Sequence, residues 1–130
     1  MRRLQQRIAY QFHDLGLLER ALSHRSIGAS NNERLEFLGD AILGFEVADS
    51  LYQSVSDANE GQLSRMRAHL VKRETLAEIA RELQLGAILR LGPGELRSGG
   101  QTRDSILADA VEAIIAAVYL DGGMDEARVL

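Results

Sequence analysis

Two long apolar runs dominate the hydrophobic pattern of the chain and predict two central helices in an all-α domain. The first run covers residues 35–55 without proline and favours a helix over about 33–55 that is buried on most of its surface. The second run covers residues 105–120 and favours a helix over about 103–121 that ends at Gly122 and Gly123. Because proline occurs once and β-branched runs are few, helix is the expected structure elsewhere as well.

Shorter segments with apolar residues at three- and four-residue spacing predict the remaining helices. These helices cover about 3–10, 15–24, 60–72 and 75–85, and Phe12 is expected to anchor the first connection in the core. Residues 86–101 are rich in glycine and predict a loop. A further helix begins at about residue 125 and is interrupted at Leu130, which suggests that the chain once continued.

Polar and small residues indicate where individual helices begin and end. Asp14 is expected to cap the helix that follows it. Residues 30–33 match a capping box for the long helix, with Asn32 as an alternative cap, and residues 75–78 match a second box. Gly86 is expected to end the helix opened by that second box. Three apolar residues of the same helix are expected to be buried: Leu76, Ile79 and Leu83.

Composition and charge narrow the class of protein. At 130 residues, with 45% hydrophobic and 26% charged residues, the chain is the size of one domain with a proper core. It has no cysteine, which excludes disulfides and a thiolate zinc site. No signal peptide or membrane-spanning run is found, so a cytoplasmic protein without a membrane partner is expected. The net charge of −4 argues against a general polyanion binder, although carboxylates that bind metal inflate this figure.

Three carboxylates share one side of the first long helix. Glu36 and Asp40 lie roughly 40° apart around the axis, and Glu33 lies roughly 60° from Glu36. Like charges at this spacing repel, and ionised carboxylates are almost never buried without a partner. The pattern therefore predicts that something cationic faces this stripe.

The second long helix contains a carboxylate pair of the same kind. Asp109 and Glu112 are its only charges between residues 105 and 120, and they lie roughly 60° apart on one face. Two apolar helices packed with these pairs facing each other would form a cluster of four carboxylates. Oxygen ligands of this kind suit Mg²⁺ or Mn²⁺, and we hypothesise a catalytic metal site.

Other interpretations remain open for individual residues. Glu33 is explained equally well by the capping box, and the pair Glu36 and Asp40 could instead face solvent or an arginine from elsewhere in the chain. His24 is interpreted as a hydrogen-bonded core or interface histidine. Glycines within helices are costly, so Gly39 and Gly44 are expected where another helix or a metal comes close.

Basic and glycine-rich positions outside the long helices have two possible explanations. A basic face over residues 65–73 is usually only solvated, and a Ser-Gly-Gly sequence at 98–100 is usually only a flexible loop. Beside a carboxylate metal site, both would also suit the backbone of a phosphodiester substrate. The candidate residues for such a contact are Arg65, Arg67, Arg97, Ser98, Gly99 and Arg103.

The residues 32–40, read as NERLEFLGD, closely resemble the signature of the ribonuclease III family. Similar segments extend the resemblance over nearly the whole chain, at residues 21–26 (ALSHRS), 63–68 (LSRMRA), 92–100 and 105–113 (SILADAVEA). The resemblance implies an all-helical endonuclease domain over 1–130 that acts on double-stranded RNA as a symmetric homodimer. Bacterial members carry a C-terminal double-stranded-RNA-binding domain that this sequence lacks, so a truncated or minimal form is expected.

The resemblance also implies roles for individual residues. Glu36, Asp40, Asp109 and Glu112 match the Mg²⁺ ligands, with Mn²⁺ as a possible substitute, and Asp40 and Glu112 match the positions called catalytic. Glu33 matches an acidic position near the dimer interface and substrate. Phe37, roughly 100° around the helix from Glu36, matches an aromatic residue that inserts into the partner subunit.

The implied reaction is hydrolysis of double-stranded RNA to 5′-phosphate and 3′-hydroxyl ends, in the processing of rRNA and mRNA precursors. One alternative is a catalytically silent RNA-binding or ribosome-associated relative, which should have lost a cluster carboxylate. Another is a dinuclear-iron protein, but the positions that would hold its histidines are Gly39 and Ile115. A third is an acidic interaction module, which leaves two buried carboxylate pairs unexplained.

Overall fold

The computed structural model describes the backbone of residues 1–128 and the side chains of residues 1–127. The part of the chain that it describes contains helices and turns but no strand, apart from an isolated bridge between Ser23 and Arg90. This confirms the predicted all-α class. The α-helices are α1 (Arg2–Ile8), α2 (Leu15–Ala21), α3 (Glu33–Ser54), α4 (Glu60–Leu70), α5 (Arg73–Glu82), α6 (Pro93–Arg97), α7 (Asp104–Gly122) and α8 (Met124–Arg128).

Helix α7 is the centre of the fold. Every residue from 106 to 118 is buried except Asp109, which is partly buried. Helices α2, α3, α5 and α8 all pack against it. The core around α7 also contains Phe12, as predicted. A helix that is apolar on all sides needs neighbours on all sides, and this explains why the run at 105–120 carries so few charges.

Helix α3 is less buried than its composition predicts. Leu35, Gly39 and Ile42 are buried, but Phe37 is 78% exposed and Tyr52 is 73% exposed. The prediction that this helix is buried on most of its surface is therefore wrong for the isolated chain. The reason is that α7 covers only one side of α3, and hydrophobicity alone does not show which neighbour covers the other side.

Helix α4 begins close to the predicted position but buries no side chain. Its start is fixed by a capping box in which Asn59 accepts from the backbone N–H of Gln62 and Gln62 accepts from that of Asn59. Met66 and Leu70 on its apolar face are 39% and 48% exposed. The amphipathic pattern thus predicted a helix correctly, but the apolar face of this helix stays partly exposed in the single chain.

The predicted caps of α2 and α3 have different outcomes. Asp14 caps α2 by accepting from the backbone N–H of Gly16 at 2.9 Å, as predicted. The capping box at residues 30–33 is wrong, because Glu33 is the first residue of α3 and the Glu of such a box must be the third. Asn32 occupies the cap position, but its buried side chain donates to the carbonyl of Ala21 at 3.0 Å.

The predicted ends of α5 are both wrong. The helix begins at Arg73, before the expected box at residues 75–78, and its last residue is Glu82. The chain then turns at Gln84, which has the left-handed φ of 59° expected of a glycine. Gly86 has another function, because a Cβ at that position would lie 2.7 Å from the carbonyl oxygen of Gln101.

The buried side of α5 also differs from the prediction. Leu76 is buried together with Ala77 and Ala80, whereas Ile79 is 40% exposed and Leu83 is only partly buried. Small alanine side chains allow α5 to approach α7 closely, and the prediction considered only the larger residues.

The segment over residues 86–101 contains more structure than the predicted loop. It includes α6, and short 3-10 turns over Leu85–Ala87 and Gly100–Thr102 flank it. The predicted last helix is observed as α8, and its remainder, residues 129–130, lies outside the described residues. None of the described helices combines the length and the hydropathy needed to cross a bilayer.

A buried carboxylate joins the N-terminal segment to the end of α7. The side chain of Asp121 is 3% exposed and accepts hydrogen bonds from the hydroxyl of Tyr10, from the backbone N–H of His13 and from that of Asp14. Burial alone would raise the pKa of Asp121, but these hydrogen bonds lower it to about 2. An ionised Asp121 therefore holds the chain before α2 in place.

Candidate metal centre

The close crossing of α3 and α7 creates the candidate site. A Cβ at Gly39 would lie 1.7 Å from the backbone carbonyl oxygen of Glu112, so no side chain fits at this crossing. This contact confirms the prediction for Gly39. The same prediction is wrong for Gly44, where a Cβ would meet nothing within 4 Å. Contact at Gly39 brings the acidic side of α3 directly against the acidic side of α7.

Three carboxylates come together at the crossing. Glu36, Asp109 and Glu112 each offer an oxygen, and these oxygens all lie within 4.8 Å of one another. Glu112 is only 6% exposed, while Glu36 and Asp109 are partly buried. Asp40 is exposed and lies outside this group of three, but its side chain is hydrogen-bonded to that of Glu112. The structure thus brings all four predicted ligands into one connected cluster.

The environment of Glu112 strongly favours its neutral form. Burial is the largest cause, and the hydrogen bond with Asp40 and the negative charges of Asp40, Glu36 and Asp109 act in the same direction, raising the pKa of Glu112 to about 9. A hydrogen bond between two carboxyl groups requires one proton, and this pKa places that proton on Glu112 at neutral pH. At neutral pH, Glu112 can therefore ionise fully only when a positive charge replaces the proton.

The two other carboxylates of the group are also displaced towards their neutral forms. Burial raises the pKa of Glu36, and the charges of Asp109 and Asp40 add to this effect. Burial likewise raises the pKa of Asp109, although the positive charges of Arg73, of His24 when its ring is protonated, and of Arg25 oppose it. Desolvation is the cause that the two carboxyl groups share, and repulsion by neighbouring carboxylates adds to it for Glu36.

The cation expected to face the stripe is not supplied by an ion pair within the described part of the chain. The ion pairs found there join His13 to Asp121, Arg81 to Asp104 and Arg103 to Glu95. A cluster of carboxylate oxygens without nitrogen or sulfur ligands fits a hard divalent cation such as Mg²⁺ or Mn²⁺. The proton held by Glu112 is the group that such a cation would displace.

A cavity of about 430 Å³ opens beside the cluster. Glu36 and Asp109 form its acidic wall, and the predicted auxiliary residue Glu33 lies at its edge. Arg103 also lines the cavity, and its guanidinium donates to Glu95 Oε2 at 3.1 Å. Of the candidate RNA-contacting residues, Arg103 is the one that the structure places in this cavity.

The other candidate RNA-contacting residues are not among those that line this cavity. Ser98 accepts from Arg103 through both its carbonyl and its hydroxyl, so it contacts a residue of the wall. Gly99 adopts a left-handed φ of 80°, which favours glycine. Arg65 and Arg67 are exposed on α4, and Arg97 is exposed at the end of α6. Contact of these residues with RNA stays a prediction.

Residues that the sequence interpretation did not place in the site also line the cavity. These include His24, Arg25 and Glu95. His24 is hydrogen-bonded, as expected, but it is partly exposed in the cavity rather than part of the core. No periodic pattern connects residues 24–25 with the helices, because contacts with residues 90–92 position this turn. The resemblance of residues 21–26 to the family was the one available signal.

Phe37 lies on the side of α3 that faces away from the core. Its side chain borders an open apolar groove of about 780 Å³. The groove is lined by Leu17, Leu35, Leu38 and Leu120 together with polar residues at its edge. An exposed aromatic residue beside an apolar groove is a typical feature of a protein–protein contact.

Fold and site together define an all-α domain with a carboxylate centre suited to a divalent cation. The sequence profile described as Ribonuclease-III-like matches residues 14–130. Ribonuclease 3 of Marinomonas sp. (strain MWYL1) is 63% identical over 97% of this chain and 56% of its own length. Ribonuclease 3 of Vibrio parahaemolyticus is 59% identical over the same shares. The chain therefore belongs to the ribonuclease-III-like family, and it spans about half the length of these relatives.

Solved structures give the same result for the fold. The nuclease domain of ribonuclease III from Campylobacter jejuni is 44% identical to this chain. It superposes with a TM-score of 0.95 over 97% of this chain and 89% of that one. A second structure of that domain gives a TM-score of 0.94 at 43% identity. The first of these is described as showing flexibility in a region involved in dimer formation.

Proposed function

We propose that this chain is the endonuclease domain of a Mg²⁺-dependent enzyme that cleaves double-stranded RNA to 5′-phosphate and 3′-hydroxyl ends. The observation that carries the proposal is the cluster of Glu36, Asp109 and Glu112, whose oxygens lie within 4.8 Å of one another. Asp40 completes the cluster through Glu112. A catalytically silent relative would not need to maintain a buried glutamate at position 112, where the ionised form is so strongly disfavoured.

Each carboxylate has a distinct part in this proposal. Glu36, Asp109 and Glu112 would hold the divalent ion directly, and Asp40 would join from the solvent side. An ion held there would activate a water for attack on the phosphodiester and stabilise the leaving oxygen. Glu112 carries a proton in the metal-free cluster, and it would release this proton on binding the ion.

The surroundings of the cluster favour a duplex RNA substrate. The cavity beside it is open to solvent and carries Arg103 together with Arg25, which can contact phosphate oxygens. A-form RNA is recognised mainly through its shape, phosphates and 2′-hydroxyls, so little base specificity is expected. We infer cytoplasmic rRNA and mRNA precursors as the substrates, because the family resemblance implies this processing role.

A homodimer would place two such sites on one duplex. Phe37 is 78% exposed and lies beside an apolar groove. In a two-fold dimer each copy offers the same patch, so the Phe37 side chain of one copy can enter the groove of the other. Two sites related by this axis would each cut one strand, because the strands of a duplex are themselves related by local two-fold axes.

The direct test is incubation of this chain with duplex RNA, single-stranded RNA and duplex DNA of one sequence. Cleavage of the duplex RNA in Mg²⁺, with 5′-phosphate and 3′-hydroxyl products, is expected, and a chelator should abolish it. Ca²⁺ should permit RNA binding without turnover, since it is larger and prefers more ligands. Equal cleavage of single-stranded RNA or cleavage in the chelator would refute the proposed activity.

A further inference from the structure

The turn that carries His24 is fixed against the segment that precedes α6. The backbone N–H of His24 donates to the carbonyl of Arg90 at 3.0 Å, and that of Gly92 donates to Ser26 Oγ at 2.7 Å. A Cβ at Gly92 would lie only 2.5 Å from the carbonyl oxygen of Ser26, so the two segments are in direct contact. The backbone of this turn therefore has little freedom to move.

Hydrogen bonds in the turn also fix the chemical form of the His24 ring. The backbone N–H of Ser26 lies 3.1 Å from Nδ1, and Ser26 Oγ lies 2.9 Å from the same atom. A backbone N–H can only donate, so Nδ1 must accept. The neutral imidazole then carries its hydrogen on Nε2. Among the described hydrogen bonds, those of the ring all involve Nδ1, so Nε2–H remains available to a ligand.

The position of His24 gives this free donor a possible function. His24 lines the same cavity as Glu36 and Asp109, and Arg25 and Arg103 lie on its wall. A further arginine at this point would pair with the carboxylates and compete with a bound cation. A neutral N–H group can hold an anionic oxygen near the carboxylates without neutralising them.

We propose that His24 Nε2–H donates to a non-bridging oxygen of the RNA phosphate bound beside the carboxylate cluster, and that Ser26 is the positioning residue that orients this donor. The proposal rests on the proposed function, because it requires RNA in the cavity. It assigns a substrate contact to a residue whose other ring nitrogen is fully occupied within the protein.

Two substitutions separate the donor from the structural role of His24. In His24→Gln, the side-chain amide NH₂ can reach the position of Nε2 but leaves no acceptor for Ser26. In His24→Asn, the side-chain oxygen can replace Nδ1 as the acceptor but no donor reaches the cavity. The proposal predicts that His24→Asn keeps its thermal stability yet binds duplex RNA in Ca²⁺ roughly tenfold more weakly. His24→Gln should bind close to wild type, at some loss of stability.

The kinetics in Mg²⁺ should follow the same order. Loss of a contact that is equally strong in the enzyme–substrate complex and in the transition state raises KM and leaves kcat nearly unchanged. We expect this pattern for His24→Asn and a KM close to wild type for His24→Gln. The proposal is overturned if the two variants bind RNA equally well, and also if neither of them binds it. The reverse order would show that His24 serves the turn alone.

An NMR measurement tests the role of Ser26 without RNA. Long-range ¹H–¹⁵N correlation of the His24 ring, at a pH where the imidazole is neutral, should show hydrogen on Nε2 in the wild type. Ser26→Ala keeps the backbone N–H that donates to Nδ1 and loses only the hydroxyl, so it should weaken this preference without abolishing it and should raise KM. A wild-type ring with hydrogen on Nδ1 would overturn the proposal. A wild type that fails to bind duplex RNA, with the expected tautomer intact, would instead refute the proposed function on which the contact depends.

Discussion

The buried carboxyl of Glu112 makes the stability of the metal-free protein depend on pH in an unusual direction. Most carboxylates that are paired in folded proteins stabilise them as pH rises, because their pKa values are lowered. The pKa of Glu112 is instead raised to about 9 from its ordinary value of 4.5. Between these two pH values the folded protein binds a proton that the unfolded chain has released. Its free energy of unfolding must therefore fall as pH rises through this window.

The size of the effect follows from the number of protons. One proton bound by the folded state alone changes the free energy of unfolding by about 1.4 kcal/mol per pH unit. Between pH 6 and pH 8 the contribution of Glu112 therefore amounts to about 2–3 kcal/mol. Glu112→Gln has the shape of the neutral acid and cannot ionise, so its stability should lack this contribution.

Urea unfolding followed by circular dichroism in a chelator measures the difference directly. The free energy of unfolding of the wild type should fall relative to that of Glu112→Gln from pH 6 to pH 8. Other groups that titrate in this window are common to both proteins and cancel in the comparison. Added Mg²⁺ should stabilise the wild type more at pH 8 than at pH 6, because it binds the ionised cluster. Parallel pH profiles in the chelator would refute the assignment of a proton to Glu112.

Three further predictions concern the packing and assembly of the domain. Gly39→Ala should destabilise the domain by about 1–3 kcal/mol or more, because α3 and α7 would have to separate. Gly44→Ala should be neutral or stabilising, and thermal unfolding of the two variants measures the difference in stability. Asp121→Asn should lower the free energy of unfolding by about 1–3 kcal/mol at pH 7. In acid unfolding, this loss of stability should diminish between about pH 4 and pH 2, because the Asp121 carboxylate of the wild type, with a pKa of about 2, then becomes protonated. A loss of stability that persists at pH 2 would contradict the account. Phe37→Ala should weaken self-association in sedimentation velocity, whereas Leu96→Ala, at an exposed apolar position on another helix, should not. Unchanged self-association of the Phe37 variant would exclude the proposed role of Phe37 in the dimer.

The sequence predicted the long helices and their carboxylates because both depend on local pattern. A run without charges, interrupted by acidic residues at helical spacing, indicates the helix and the face of each carboxylate within it. The contact of Gly39 with Glu112 was anticipated only as a close approach of unknown origin. The distances that join Asp109 to Glu36 depend on how α3 crosses α7, and no local pattern specifies that crossing.

The features that the sequence did not predict depend on residues distant in the chain. Burial of α3 was overestimated because apolar residues on its outer side, such as Phe37 and Tyr52, are exposed in the single chain. His24 was not placed in the cavity because its position follows from the contacts of its turn with Arg90 and Gly92. The end of α5 was misplaced because Gln84 adopts a backbone conformation for which glycine was expected.

The central claim is that the carboxylate cluster between α3 and α7 is the metal-dependent catalytic centre. Cleavage of duplex RNA in Mg²⁺ by Glu112→Gln and Asp40→Asn tests it most directly, with Asp49→Asn as a control on the same helix as Asp40. Loss of a ligand should reduce cleavage by at least about 100-fold in both variants, while the control cuts like the wild type. Circular dichroism and RNA binding in Ca²⁺ should show that the variants remain folded. Cleavage at the wild-type rate by either cluster variant would contradict the account.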